Sequence, residues 1–189
     1  MFKAIIAALG LAFTVQAKAA PTIIDAIVTH TQAVSMDQAH TQALDWKAGD
    51  EADYNVDMGF IKGTMVMKCR EVTADGLWID QNVDLQIQKQ QISMLLDPNT
   101  GAIKKMLVNG QEQTPPKQNI EVVEVKADHI TVPAGSFDCV HARLHDKDAN
   151  NEINSWINPQ AIPLSGMLKT IEPSQMGDVT IELTSFHKN

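Results

Sequence analysis

Apolar and polar residues alternate in short runs from Trp46 to the C-terminus. In Gly63–Val72, for example, Met65, Met67 and Cys69 share one parity, and mostly polar residues take the other. Successive side chains of a β-strand point to opposite faces, so a period of two predicts strands with one apolar face. Strands of this kind must assemble into a sheet that buries that face.

Short clusters of Gly, Pro, Asn and Asp separate these runs. Asp-Gly and Asn-Gly pairs supply the positive-φ residues that tight hairpins need, and Pro fixes the backbone at a bend. A spacing of roughly 8–12 residues between turns is typical of a meandering sheet or barrel and predicts roughly nine or ten strands. The clearest turn signals are Thr73–Gly76, Asp97–Gly101, Asn109-Gly110, Pro133–Gly135 and Asp146–Asn151.

One run changes its parity. Apolar side chains take odd positions before Gln90 and even positions after it. A β-bulge or a break in the strand near Gln90 would produce this change. The odd set is Leu77, Ile79, Val83, Leu85 and Ile87, and the even set is Ile92, Met94 and Leu96.

The N-terminus has the pattern of an export signal. Lys3 precedes an apolar run from Ala4 to Val15, and Ala17-Lys18-Ala19 provides a small-residue cleavage site. This predicts a signal peptide over residues 1–19, cleavage before Ala20, and delivery to the periplasm or beyond. The run is too short to span a bilayer, which needs about 20 apolar residues. The alternative is a buried N-terminal helix.

The residues after the cleavage site favour a helix before the sheet begins. Pro21 suits a first helical turn, and Ile23, Ile24 and Ile27 lie on one helical stripe. We therefore predict a helix from about Thr22 to Ala33, with a continuation to Ala43 as the alternative. The predicted fold class is α+β: one domain, residues 20–189, with this helix packed on a strongly curved, mostly antiparallel sheet that forms a half-barrel or partly open barrel.

The charge of the chain excludes some classes of partner. The formal net charge is −8, and both Lys3 and Lys18 fall in the leader, so the remainder is more acidic still. Binding to phosphate backbones or anionic membrane surfaces needs clustered Lys and Arg. The longest basic cluster, Lys104-Lys105, is too small for that purpose. We expect no nucleic-acid partner and no membrane-spanning segment.

Two cysteines, Cys69 and Cys139, are present in a chain expected to enter an oxidising compartment. A disulfide between them would close a long loop and add about 4 kcal/mol of stability in the chain-entropy model. The alternative is two separate small core residues. A zinc site is disfavoured because no Cys-x-x-Cys pair or nearby histidine completes a ligand set.

Catalytic and metal motifs do not stand out. His141 and His145 have helical zinc spacing but fall in a predicted strand, where four residues span about 13 Å. Ser136, Asp138 and His141 could be imagined as a nucleophile set, but no Gly-x-Ser-x-Gly elbow frames the serine. We therefore predict no enzyme activity, no metal and no cofactor.

The methionines suggest an adaptable apolar surface. The chain has nine, and flexible, polarizable Met lines surfaces that accept varied apolar ligands. Tryptophans could wall the same cavity. The alternative is ordinary filling of a solid core. The candidate cavity-lining residues are Met65, Met67, Trp78, Met94, Trp156 and Met167.

A family resemblance enters at Ile130–Cys139. Its Val-Pro-Ala-Gly-Ser-Phe-Asp-Cys segment resembles the Val-Pro-Ala-Gly-x-Phe-x-Cys signature of a family of uncharacterised exported bacterial β-sheet proteins. Ser155–Pro159 and Ile162–Lys169 look like that family's closing strands. Such proteins are distantly similar to the carriers that localise lipoproteins, whose curved sheet wraps a helix-lidded apolar cavity. The signature itself has the composition of a structural turn.

These observations lead to two functional hypotheses. The first is non-catalytic binding of an apolar ligand, such as a lipid or acyl chain, in a curved-sheet cavity in the periplasm. The alternative is an envelope protein-interaction or scaffold domain with a solid core and no small ligand. The resemblance supports an exported sheet protein, and a shared fold does not transfer a function.

Overall fold

The computed structural model describes residues 44–115, 119–174 and 177–189. Eleven antiparallel strands form one sheet in these residues. The strands are β1 (Glu51–Asp57), β2 (Lys62–Thr73), β3 (Gly76–Leu85), β4 (Gln88–Leu96), β5 (Ile103–Val108), β6 (Gln111–Gln113), β7 (Ile120–Val132), β8 (Gly135–Asp146), β9 (Asn151–Ile157), β10 (Met167–Ser174) and β11 (Gly177–His187).

The strand order is β6-β5-β4-β3-β2-β1-β11-β10-β9-β8-β7. The chain starts near the centre of the sheet with β1 and steps outward, hairpin by hairpin, to the edge strand β6. It then crosses to the opposite edge at β7 and steps back inward to β11. The first and last strands pair with each other, from Glu51 opposite His187 to Asp57 opposite Thr180.

One side of the sheet, which we call the inner face, carries the core. In its central row Met65 lies opposite Tyr54 on β1 and Val83 on β3, and Leu183 of β11 continues the row beyond Tyr54. All four of these side chains are buried and belong to one apolar cluster. The opposite side, the outer face, carries mainly charged and polar side chains. The alternation seen in the sequence therefore becomes a one-sided core.

The sheet curls at the end formed by β7 and β8. Three strands separate β7 from β11 in the sheet, yet the turn between β7 and β8 reaches β11 directly. There the Ala134 N–H donates a hydrogen bond to the Leu183 carbonyl over 3.1 Å, and the Phe137 and Phe186 rings meet edge to face. Gly135, with φ of 141°, makes this turn. The turn interpretation of the Val-Pro-Ala-Gly segment is confirmed.

The predicted α+β class is wrong for this structure. All helical or extended elements assigned in the described residues are β-strands. The sheet is open, because its edge strands β6 and β7 do not pair with each other. The helix predicted over Thr22–Ala33, and the leader over residues 1–19, lie outside the described residues. The period of two from Trp46 onward dictates strands throughout the remainder. No helix suited to crossing a membrane occurs in the described ranges.

The parity change near Gln90 also has a different cause from the one predicted. β3 and β4 are joined by a two-residue turn at Gln86 and Ile87, with Leu85 paired opposite Gln88. A two-residue turn changes which positions, odd or even, face the core. The residues on either side of the turn, Leu85 and Gln88, are three apart in sequence, and as an opposed pair they face the same side of the sheet. Ile87, which its parity assigned to the apolar face, is 72% exposed at this turn.

Candidate functional site

Four of the six candidate cavity residues lie together on the inner face. Met65 and Met67 of β2, Met94 of β4 and Met167 of β10 are all buried in the main apolar cluster. The amide nitrogen of Gln81 lies 3.0 Å from the sulfur of Met65. The other amide atom, Gln81 Oε1, is buried and accepts no hydrogen bond from the described part of the chain.

The two tryptophans lie on the other side of their strands. Trp78 alternates with the buried Leu77 and Ile79, so it faces outward, where the Arg70 guanidinium lies 4.9 Å from its ring centre. Trp156 stacks against His141 with ring centres 4.3 Å apart, and it also packs against the main core at the curled end of the sheet. The structure therefore does not place all six candidate residues around one cavity.

The two edges of the sheet differ sharply in length. β6 spans only Gln111–Gln113 and is soon followed by Pro115, and a short strand ending near proline is a poor site for pairing with another chain. β7 is the longest strand, at 13 residues, and contains no proline. A long edge strand presents a row of unpaired backbone N–H and C=O groups. Within the described residues, β7 is therefore the accessible edge.

The β7 edge also carries exposed apolar side chains. All residues from Glu121 to His129 are exposed. Three of them are valines, Val122, Val123 and Val125, with exposed fractions of 46%, 47% and 57%. Exposed β-branched residues on a long edge strand are characteristic of a surface that pairs with another strand.

Polar side chains of β7 are held back toward the sheet. The Trp156 indole N–H donates to Asp128 Oδ2 over 2.9 Å, across the intervening strand β8. This bond, with one from a backbone N–H, holds the pKa of the Asp128 carboxyl below its usual range. Ion pairs join Glu124 to Arg143 and Glu121 to Lys147. Exposed pairs of this kind add little stability. Asp128 Oδ1 also accepts a hydrogen bond from the His129 backbone N–H over 2.8 Å.

The imagined nucleophile set does not assemble. The Ser136 hydroxyl lies 2.8 Å from the Thr131 hydroxyl, and Asp138 contacts His129 rather than His141. His141 Nε2 instead contacts Asn154 Oδ1 over 3.0 Å beneath the Trp156 ring. His141 is therefore partly buried, with a hydrogen-bond partner in Asn154 and a stacking partner in Trp156.

Both cysteines are buried free thiols in the structure, and both belong to the main apolar cluster. Burial raises the pKa of the Cys69 thiol to about 11 and that of Cys139 above its ordinary value. A raised pKa keeps a thiol protonated and slow to react. Their pairing in an oxidising compartment stays a prediction, which a thiol count on the unfolded protein tests.

The position of β7 at an edge is not visible in the sequence. Glu121–Val132 is rich in Val and Ile, as expected of a strand, but nothing in a single run of residues says whether a neighbour lies on both sides. The one available signal was that Val122 and Val123 are adjacent, which breaks the alternation expected of a strand with one apolar face. In the structure a bulge between Val122 and Glu124 accounts for it.

No family model matches the sequence, and no curated protein is similar to it. Among solved structures, MucB is similar at 10% identity, with a TM-score of 0.43, over 87% of this chain and 59% of MucB. MucB in complex with MucA(peri) is similar at 11% identity and a TM-score of 0.44, over 85% of this chain and 56% of that one. This chain thus spans less than two thirds of the length of MucB.

A third structure is a protein from Bacteroides fragilis, described as exported and as having a YmcC-like fold. It is similar at 10% identity with a TM-score of 0.39, over 77% of this chain and 99% of its own length. At this level of similarity, neither the partner nor the activity of any of these proteins transfers to this chain.

A buried acid on the inner face has an unusual titration. Glu172 of β10 is 8% exposed, and burial, with the nearby Asp146 as a second cause, raises its pKa to about 7. Asp146 is itself held in a turn, where its carboxylate accepts hydrogen bonds from the Asp148 and Ala149 N–H groups. The site therefore disfavours a charged Glu172.

We expect stability to depend on pH through Glu172. A carboxyl whose folded pKa is raised from 4.5 to about 7 stabilises the fold fully below pH 4.5 and loses that contribution as pH rises through 7, a change of about 3 kcal/mol. Glu172→Gln should therefore gain stability over the parent at pH 8 and gain little at pH 4. Urea unfolding at both values measures this. The exposed Glu152→Gln on β9 is the matched control, and equal effects of Glu172→Gln at the two pH values would contradict the assignment.

Proposed function

We propose that this chain is an exported, non-catalytic protein-interaction domain of the bacterial envelope, and that the β7 edge is its docking site. The observation that carries the proposal is a 13-residue edge strand with three exposed valines, opposite an edge strand of three residues. The chain thus has one edge where pairing is hindered and one where it is open.

The location in the periplasm rests on the leader pattern in residues 1–19. An acidic chain in that compartment gains solubility from its charge, which makes an uncovered apolar edge tolerable. A long edge strand without a partner is an aggregation hazard. The presence of such a strand in this fold therefore favours a function that uses it.

Strand addition supplies a physical mechanism for the interaction. An extended segment laid along β7 would satisfy the backbone N–H and C=O groups of the edge, which provides affinity. The His129 N–H already donates to Asp128 Oδ1 and would exchange that hydrogen bond for one to the added strand. Val122 and Val125 would then pack against side chains of the added strand, which provides selectivity. Because β7 is already paired with β8 from Ile120 to Val132, little ordering of this strand is needed on binding.

Site-specific photocrosslinking in the periplasm tests this proposal. A benzoylphenylalanine at Val125 should give a discrete adduct of higher mass, and the same residue at Val72, an equally exposed valine at the end of β2, should not. With the probe moved to Val123, Val125→Lys should reduce the adduct, because a charged edge side chain opposes pairing. Val72→Lys is the matched control. No adduct at Val125, or equal adducts at Val125 and Val72, would overturn the proposal.

A second candidate function is binding of a lipid or acyl chain among the inner-face methionines. The observation in its favour is a buried carbonyl oxygen, Gln81 Oε1, beside Met65 and Met67, where a polar group of a ligand would find an acceptor. Native mass spectrometry of protein purified from the envelope tests it. A lipid bound to the parent protein and absent from Met67→Lys would support this candidate function. A parent protein that has only the mass of its polypeptide chain would contradict it.

A further inference from the structure

We propose that the segment occupying the β7 edge is β7 of a second copy of this chain, paired antiparallel about a two-fold axis at Ala127. The proposal rests on the proposed function, in that it takes β7 as the docking edge, and it adds the identity of the partner and the register. The argument depends on the charge pattern along β7 and on the position of its bulge.

Two copies of one strand can pair antiparallel only around a residue that lies opposite itself. An axis at Glu124, Lys126 or Asp128 would place two like charges directly opposite each other, which destabilises the pair. An axis at Ala127 has the opposite effect. It places Lys126 opposite the partner's Asp128, and symmetry repeats that pair on the other side of the axis.

The bulge selects between the two remaining central registers, those with an axis at Ala127 or at Val125. The pairing of β7 with β8 shifts between Val122 and Glu124, so the regular alternation of β7 runs from Glu124 toward Val132. An axis at Val125 would pair residues on opposite sides of this shift, and their side chains would point to different faces. An axis at Ala127 uses only Glu124–Ile130, where the alternation is unbroken.

The side chains in this register are compatible with close approach. Ala127 lies opposite the partner's Ala127, so no bulky group obstructs the axis. Val125 lies opposite the partner's His129, which covers the most exposed valine of the edge. Asp128 and Lys126 share one face of β7, and the Asp128 carboxylate accepts hydrogen bonds from the Trp156 indole N–H and the His129 N–H. Two lysines and two aspartates would then alternate around the axis.

Cysteine crosslinking measures the register directly. Ala127→Cys in the full chain should form a covalent dimer under mild oxidation, because opposed Cβ atoms in antiparallel strands lie about 4.5–5.5 Å apart. Val125→Cys alone should not, because its two copies lie about 13 Å apart along the strands. A mixture of Val125→Cys and His129→Cys should form the mixed dimer. The native Cys69 and Cys139 are buried in the parent structure.

Light scattering of the purified protein provides the second measurement. We expect a dimer that Lys126→Glu converts to monomer, because the partner's Asp128 would then face a like charge, whereas Lys126→Arg should keep the dimer. A monomeric parent without an Ala127→Cys crosslink would overturn the proposal. If Val125 then crosslinks a different protein in the periplasm, the edge still docks a partner. If it crosslinks nothing, the proposed function fails as well.

Discussion

The pairing of β1 with β11 holds the two halves of this sheet together. β1 begins one series of hairpins and β11 ends the other, so every other strand pair is local and this one joins residues far apart in the sequence. It is reinforced by side chains: the Ser185 hydroxyl donates to the Asp53 carboxylate over 2.6 Å, and the Asn189 N–H donates to Asp50 over 2.8 Å. Forming such a pair requires closure of nearly the whole described chain.

This central pairing decides where the edges lie. Because the first and last strands meet in the middle, the edges fall at strands from the middle of the sequence, β6 and β7. Those two strands follow each other in the chain but lie at opposite ends of the sheet. The β6 edge is short and close to proline, whereas the β7 edge is long and anchored from behind by the contact of Asp128 with Trp156. The interaction proposed for this chain is thus a consequence of its topology.

The sequence predicts the strands well and their arrangement poorly. Alternation identified the buried side of Met65, Met67 and Cys69, and the Asn109-Gly110 turn is present with φ of 51° and 80°. Both are local properties of the chain. The order of strands in the sheet depends on long-range pairing, so the edge at β7 was not predictable, and neither was the separation of Trp78 and Trp156 from the methionines. The α+β class depended on a helix that lies outside the described residues, and the described residues form strands only.

Hydrogen exchange of β7 amides, measured at several protein concentrations, tests the central claim that this edge pairs with a second copy. In dilute protein the amides of Ile120–Val132 that point away from β8 should exchange rapidly, and they should become protected as concentration rises. The amides of Gln111–Gln113 at the opposite edge should exchange at the same rate throughout. Equal and concentration-independent exchange at both edges would contradict the account.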